Sequence, residues 1–170
     1  MTATRKNYIK LLLPLLAVVL FAVPVFAEDD DAASEKLPLP RFVSLRSAEV
    51  NMRVGPGTRY SINWVYKREN LPVEIIQEFD QWRQIRDAEG TTGWVHKQMV
   101  QGKRTAVVVG KVAVLRRSPD ITANPVLRAE PGVIGKILSC EEKWCRVQIS
   151  GRKAWIQKTS IFGVYKKEEF

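Results

Sequence analysis

The sequence predicts an all-β protein built from two successive copies of one small barrel, and three observations carry the prediction. A short strand running into a glycine and proline turn, Val50-Asn51-Met52-Arg53-Val54-Gly55-Pro56-Gly57-Thr58-Arg59-Tyr60, returns sixty-three residues later as Val114-Leu115-Arg116-Arg117-Ser118-Pro119. Later landmarks return with it: Ile75 as Ile137 and Trp82 as Trp144 at sixty-two residues, Trp94-Val95 as Trp155-Ile156 at sixty-one. The offset shrinks only across turns, where a repeated fold tolerates deletions. From Arg41 onward the chain reads as short β-rich runs such as Val73-Glu74-Ile75-Ile76, broken by glycine, proline and aspartate, with no helical stripe of useful length.

The chain begins differently. Arg5, Lys6 and Lys10 precede sixteen uncharged residues, Leu11 to Phe26, and Val25-Phe26-Ala27 places small residues where an export peptidase cuts. That is the pattern of a secretory signal peptide over residues 1–27. A retained anchor is the alternative, but the run falls short of the roughly 18 to 20 residues of a spanning helix, and Pro14 and Pro24 oppose one. The reading is therefore a periplasmic or secreted protein without a stable transmembrane anchor. Removing the leader's three bases lowers the net charge from +9 to +6.

Residues 28–40 form an acidic and proline-containing linker. Glu28, Asp29, Asp30, Asp31 and Glu35 face one base, Lys36, and such a stretch has too little apolar surface to bury, so it should be disordered. Leu37-Pro38-Leu39-Pro40 leads in as a semi-extended connector. About 130 residues then remain for two units, 41–103 and 104–166, each near the lower size limit for a folded core. In the second, Ile149-Ser150-Gly151-Arg152 reads as a tight hairpin with Gly151 at positive φ, and Asp87 to Gly93 is the longer turn of the first.

At these residues the chain resembles the bacterial SH3-like (SH3b) family of extracytoplasmic domains. The first unit carries Asn51-Met52-Arg53, Gly55-Pro56-Gly57-Thr58 with Tyr60, an apolar strand at Val73 to Ile76, Trp82 with Ile85, and Gly93-Trp94-Val95. The second keeps Leu115-Arg116, Pro119, Ile137-Leu138, Trp144 with Val147 and Trp155-Ile156, but has Val114 in place of Asn51 and no tyrosine matching Tyr60, so it looks degenerate. The resemblance implies a pair of five- to six-stranded barrels that bind peptides or cell-wall components. Such domains often accompany hydrolases, and the two units here use the whole mature chain.

Residues kept in both units point to folding, and those in one unit to recognition. Trp82, Trp94, Trp144 and Trp155 are thus expected as scaffold within the cores. Arg53 and Arg116 are expected to hold their turns through backbone carbonyls. Tyr60, Trp64 and Tyr66 have no aromatic counterparts, only Ala123, Val126 and Arg128, and with Asn51 they form the expected ligand-binding set, aromatic rings supplying contact area at low entropic cost. Asn51 serves equally well as a turn residue.

Cys140 and Cys145, five apart in an exported chain, favour a disulfide across a hairpin, with Leu138, Cys140, Cys145, Val147 and Ile149 facing inward; two reduced thiols are the alternative. Closing so short a loop adds about 2 kcal/mol. No further cysteine or histidine completes a metal site, and no cofactor motif is present. His96 is the sole histidine and belongs to the other unit, and no carboxylate pair stands apart from hairpin turns, so no enzyme is expected. The basic surface could hold a polyanion, but export removes nucleic acid as a partner. The expected partner is a cell-wall peptide or glycan, with another envelope protein, read by an adaptor, as the alternative.

Overall fold

A computed structural model describes residues 37–170. The leader expected over residues 1–27 and the acidic stretch as far as residue 36 lie outside the described residues. The first set of strands is β1 (Arg41–Leu45), β2 (Val50–Arg53), β3 (Ile62–Tyr66), β4 (Pro72–Phe79), β5 (Trp82–Arg86), β6 (Thr92–His96) and, after a 3-10 turn at Lys97–Met99, β7 (Val100–Gln101). The second is β8 (Thr105–Val108), β9 (Ala113–Arg116), β10 (Pro125–Ala129), β11 (Ile134–Glu141), β12 (Trp144–Ile149), β13 (Arg152–Gln157) and, after a 3-10 turn at Lys158–Ser160, β14 (Ile161–Phe162). The sheets run β3-β2-β6-β5-β4-β1-β7 and β10-β9-β13-β12-β11-β8-β14, one order used twice. The expected all-β pair of small barrels is what forms. Each has seven strands rather than five or six, because β7 and β14 are two-residue pairings whose period no sequence pattern reveals.

The duplication holds to single bonds. Arg53 Nη1 donates to the carbonyl of Tyr60 at 2.6 Å and Arg116 Nη1 to that of Ala123 at 2.7 Å, so each arginine ties its turn to β2 or β9. Both long strands carry a bulge at the same place, between Ile75 and Gln77 and between Ile137 and Ser139. Ser150 and Gly151 both take positive φ, 48° and 79°, which is the hairpin expected from the sequence.

Alternation decides what is buried. In β2, Val50 and Met52 turn inward; in β6, Gly93 and Val95; in β13, Ala154 and Ile156. Leu45, Val73, Ile75 and Ile85 complete the first core, and Leu115, Ile137, Val147 and the two cysteines the second. The four repeated tryptophans are not core residues. Trp94, Trp144 and Trp155 each stand next to a buried residue on their strand, so the pleat turns them to the outer face, half-buried, and Trp82 is half-buried beside Arg83.

Cys140 and Cys145 lie directly opposite each other, buried, and joined in a disulfide. Leu138 does not share their face as expected. The bulge after Ile137 adds a residue and shifts the phase, so Ile137 is inward and Leu138 half-exposed. At the equivalent pair of the first barrel stand Glu78 and Arg83, in register and 2.8 Å apart as an ion pair, with Arg41 on the same carboxylate.

The barrels pack on each other within one compact unit. Phe42 on β1 meets the ring of Phe162 edge-on at 5.0 Å and that of Tyr165 at 4.6 Å. The Tyr165 hydroxyl donates to buried Glu74 at 2.8 Å, and Arg86 Nε donates to the other oxygen of that carboxylate at 2.9 Å. Burial and the Glu74 bond push the Tyr165 phenol well up from its usual range. Thr105 Oγ1 donates to the Asn70 carbonyl at 2.8 Å.

Beyond β14 the chain folds back. Arg104 clasps the Glu168 carboxylate with both terminal nitrogens, at 2.6 and 3.1 Å, and the Tyr165 amide donates to it at 3.0 Å. Burial opposes ionisation, yet the Arg104 and Tyr165 hydrogen bonds outweigh it and hold this carboxyl below its ordinary range. A lowered folded value means the stabilisation is complete above the ordinary glutamate range and is lost as the pH falls through the lowered one. The melting temperature should therefore fall on acidification through that window, and Glu168→Gln should remove part of the slope there; an unchanged slope would deny Glu168 this role.

Candidate functional site

The turn of the first barrel is shaped around Tyr60. Its ring lies over Gly55 and Gly57, where a Cβ on Gly55 would sit 2.6 Å from a ring carbon, so only glycine lets the ring settle there. The Arg59 guanidinium is 5.1 Å from the ring centroid and also donates to the phenol at 3.3 Å. Asn51 is exposed on the outer face of β2, paired in register with Val65 of β3.

β3 is the free edge of its sheet and exposes four of its five residues. Ile62 is 44% exposed, Trp64 55% and Val65 39%. The structure therefore leaves Trp64 available, as expected from the sequence. Its parity, however, is that of Met52 and Tyr66, so it stands on their side of the strand while Asn51 and Val65 face the other way. Tyr60 and Trp64 do not stack. The partner of Trp64 is the edge of Tyr66, with centroids 6.5 Å apart.

Tyr66 itself departs from the expected ligand set. It is 6% exposed, packed in the first core, and its hydroxyl donates to Asp87 Oδ2 at 2.9 Å. Asp87 Oδ1 accepts from the amides of Glu89 and Thr91, so one carboxylate joins the core to the β5–β6 turn. Burial first, and then the Asp87 hydrogen bond and charge, drive the Tyr66 phenol far above its usual range. An aromatic present in one barrel alone can serve that barrel's packing, which the repeat comparison did not separate from recognition.

The sequence also hid surface residues. Trp94 faces outward between Arg53 and Gln84, and Trp82 meets the edge of the His96 ring at 5.6 Å. His96 Nδ1 accepts from the Gln98 amide at 3.4 Å, capping the 3-10 turn. The signal was present in the alternation of Gly93, Trp94 and Val95. The second barrel offers less: Val126 and Leu127 of β10 lean on its core, and Arg128 stands where the first barrel has an apolar edge. Among the described residues no cluster of three or more potential ligands could hold a metal ion, and no helix is long and apolar enough to cross a membrane.

Several solved structures resemble the chain at low identity. NlpC2 from Trichomonas vaginalis is 12% identical, with 76% of this chain and 50% of that chain covered and a TM-score of 0.36. NlpC1 from the same organism is 15% identical, with 76% and 48% covered and a TM-score of 0.34. An NlpC/P60 family protein from Bacillus cereus ATCC 10987 is 12% identical, with 71% and 55% covered and a TM-score of 0.33. The present chain thus spans about half the length of each. No curated protein matches it. The model of the bacterial SH3 domain matches twice, over residues 46–102 and 109–163. With one sheet order used twice and most of the chain covered by the two matches, this protein belongs to the bacterial SH3 domain family.

Proposed function

We propose that the protein is an exported, non-catalytic binding module that holds peptidoglycan, through its peptide or its glycan, on the β3 edge of the first barrel. The observation that carries this reading is the exposure of Trp64, beside the Tyr60 turn, on an edge strand that also exposes Ile62 and Val65 on its opposite side, in one barrel only. A sheet edge offers unpaired backbone groups to a partner, and an exposed tryptophan offers both a flat face and a hydrogen-bonding tip. Asn51 lines the outer side of the same edge and the second barrel braces the first through Phe42 and Tyr165.

Export is supported by the leader pattern and by the disulfide, which belongs to oxidising compartments. A non-catalytic role is supported by where the reactive groups are: both thiols are consumed in one disulfide and the imidazole caps a turn in the other barrel. Co-sedimentation with purified peptidoglycan at low salt tests the proposal. The protein should pellet with the wall, and Trp64→Ala should weaken binding by about tenfold or more while the melting temperature stays nearly unchanged. Protein that stays in the supernatant at low salt, where charge-assisted contacts are strongest, overturns it.

A further inference from the structure

The second barrel shows how this fold holds an extended segment through one of its glutamates. Residues 165–170 run past Arg104 and Lys158 to the edge of β11 at Cys140. Arg104 clasps Glu168 and sits 4.9 Å from the centroid of the Phe170 ring. Lys158 Nζ donates to the carbonyls of Glu168 at 2.7 Å and Lys166 at 3.3 Å. Phe170 and Cys140 exchange both backbone hydrogen bonds, at 2.8 and 3.1 Å, so residue 170 pairs with the open edge of β11 as an added strand would.

The repeat maps Arg104 onto Arg41, Lys158 onto Lys97 and Cys140 onto Glu78. In the first barrel the corresponding groove measures about 390 Å³, has Leu37 in its lining and is unfilled among the described residues. Its pairing edge is available too. β1 leaves β4 at Arg41 and Ile75, so among the described residues β4 has no strand on that side at Glu78. Cys140 and Cys145 are 4.1 Å apart at Cα, the close spacing at which a residue turns its amide and carbonyl away from its partner. Glu78, opposite Arg83 in the same register, turns its own amide and carbonyl to the groove side. Charge favours an acid there: Arg41, Arg46, Arg83 and Lys97 face the groove, Glu78 serves Arg41 and Arg83, and neither Arg46 nor Lys97 has an ion-pair partner among the described residues. The second barrel has Val109 and Cys145 at the positions of Arg46 and Arg83, so the open groove is the more cationic of the two.

We infer that this groove is a second binding site, independent of the β3 edge, that takes an extended acidic peptide by strand addition at Glu78 with its carboxylates on Lys97 and Arg46. Strand addition supplies main-chain affinity, and charge selects the partner. The probe is a synthetic acidic peptide, Tyr-Glu-Glu-Glu-Glu-Phe, which is the sequence of residues 165–170 with both lysines replaced by glutamate, titrated into the ¹⁵N-labelled protein. The amides of Arg46, Glu78, Lys97 and Gln98 should shift saturably, and added salt should weaken the effect. Lys97→Glu, at an exposed position, should weaken binding by about tenfold or more with an unchanged melting temperature. Shifts confined to Arg104, Cys140 and Lys158, meaning simple exchange with the resident segment, overturn the proposal. So does a groove silent to the peptide whose amides move when residues 28–36 are deleted, which would give it to the chain's own acidic stretch.

Discussion

Ile85→Ala is expected to lower the free energy of unfolding by about 2–5 kcal/mol, and Trp94→Ala by only about 1–2 kcal/mol, although tryptophan is the larger side chain. Ile85 is fully buried opposite Ile75 on the inner face, and its loss leaves a hole that the aliphatic neighbours cannot fill. Trp94 is half-buried on the outer face, where water replaces much of what its ring covers. Urea unfolding of the two variants at one temperature separates the cases. A larger loss for Trp94→Ala would place that ring in the core and overturn the assignment of faces.

Gly163→Ala should cost about 3 kcal/mol or more and loosen the contact between barrels. Gly163 has φ of 124°, in the region that favours glycine, and an added Cβ would lie 2.3 Å from the Thr105 carbonyl oxygen and 3.2 Å from Pro72 Cβ. Neither neighbour can yield cheaply, since one is backbone and the other a ring against it. Calorimetry should show the drop in melting temperature, and limited proteolysis should show faster cutting near Gly102-Lys103-Arg104. A variant as stable as the parent would mean that the barrels shift apart without cost.

Most of the fold was legible because the chain states it twice. The repeat aligned Arg53 with Arg116 and Trp82 with Trp144, and β11 obeys the alignment, but β10 sits one residue off it: Leu127 and Ala129, rather than Val126 and Arg128, stand where the first barrel has Trp64 and Tyr66. Faces were harder. Repetition says that a residue matters to the fold and leaves open which side it takes, so the tryptophans were read as core although Gly93 and Val95 around Trp94 already fixed its direction. The bulge at Ile137 changes phase without a sequence mark, which misplaced Leu138. For the site, Trp64 could be found as an aromatic without a counterpart, and Tyr66 was drawn in by the same test, because its hydrogen bond to Asp87 is a long-range pairing that composition does not announce. The cationic groove went unseen since its parts come from β1, β5 and the turn after β6, far apart in sequence.

One cross-strand position is fastened by sulfur in the second barrel and by opposite charges, Glu78 and Arg83, in the first. Concentrated salt should therefore slacken this position in the first barrel and leave the disulfide at its counterpart untouched, and thiols should do the reverse. Two copies of a single plan thereby answer, at one shared position, to separate chemical stresses.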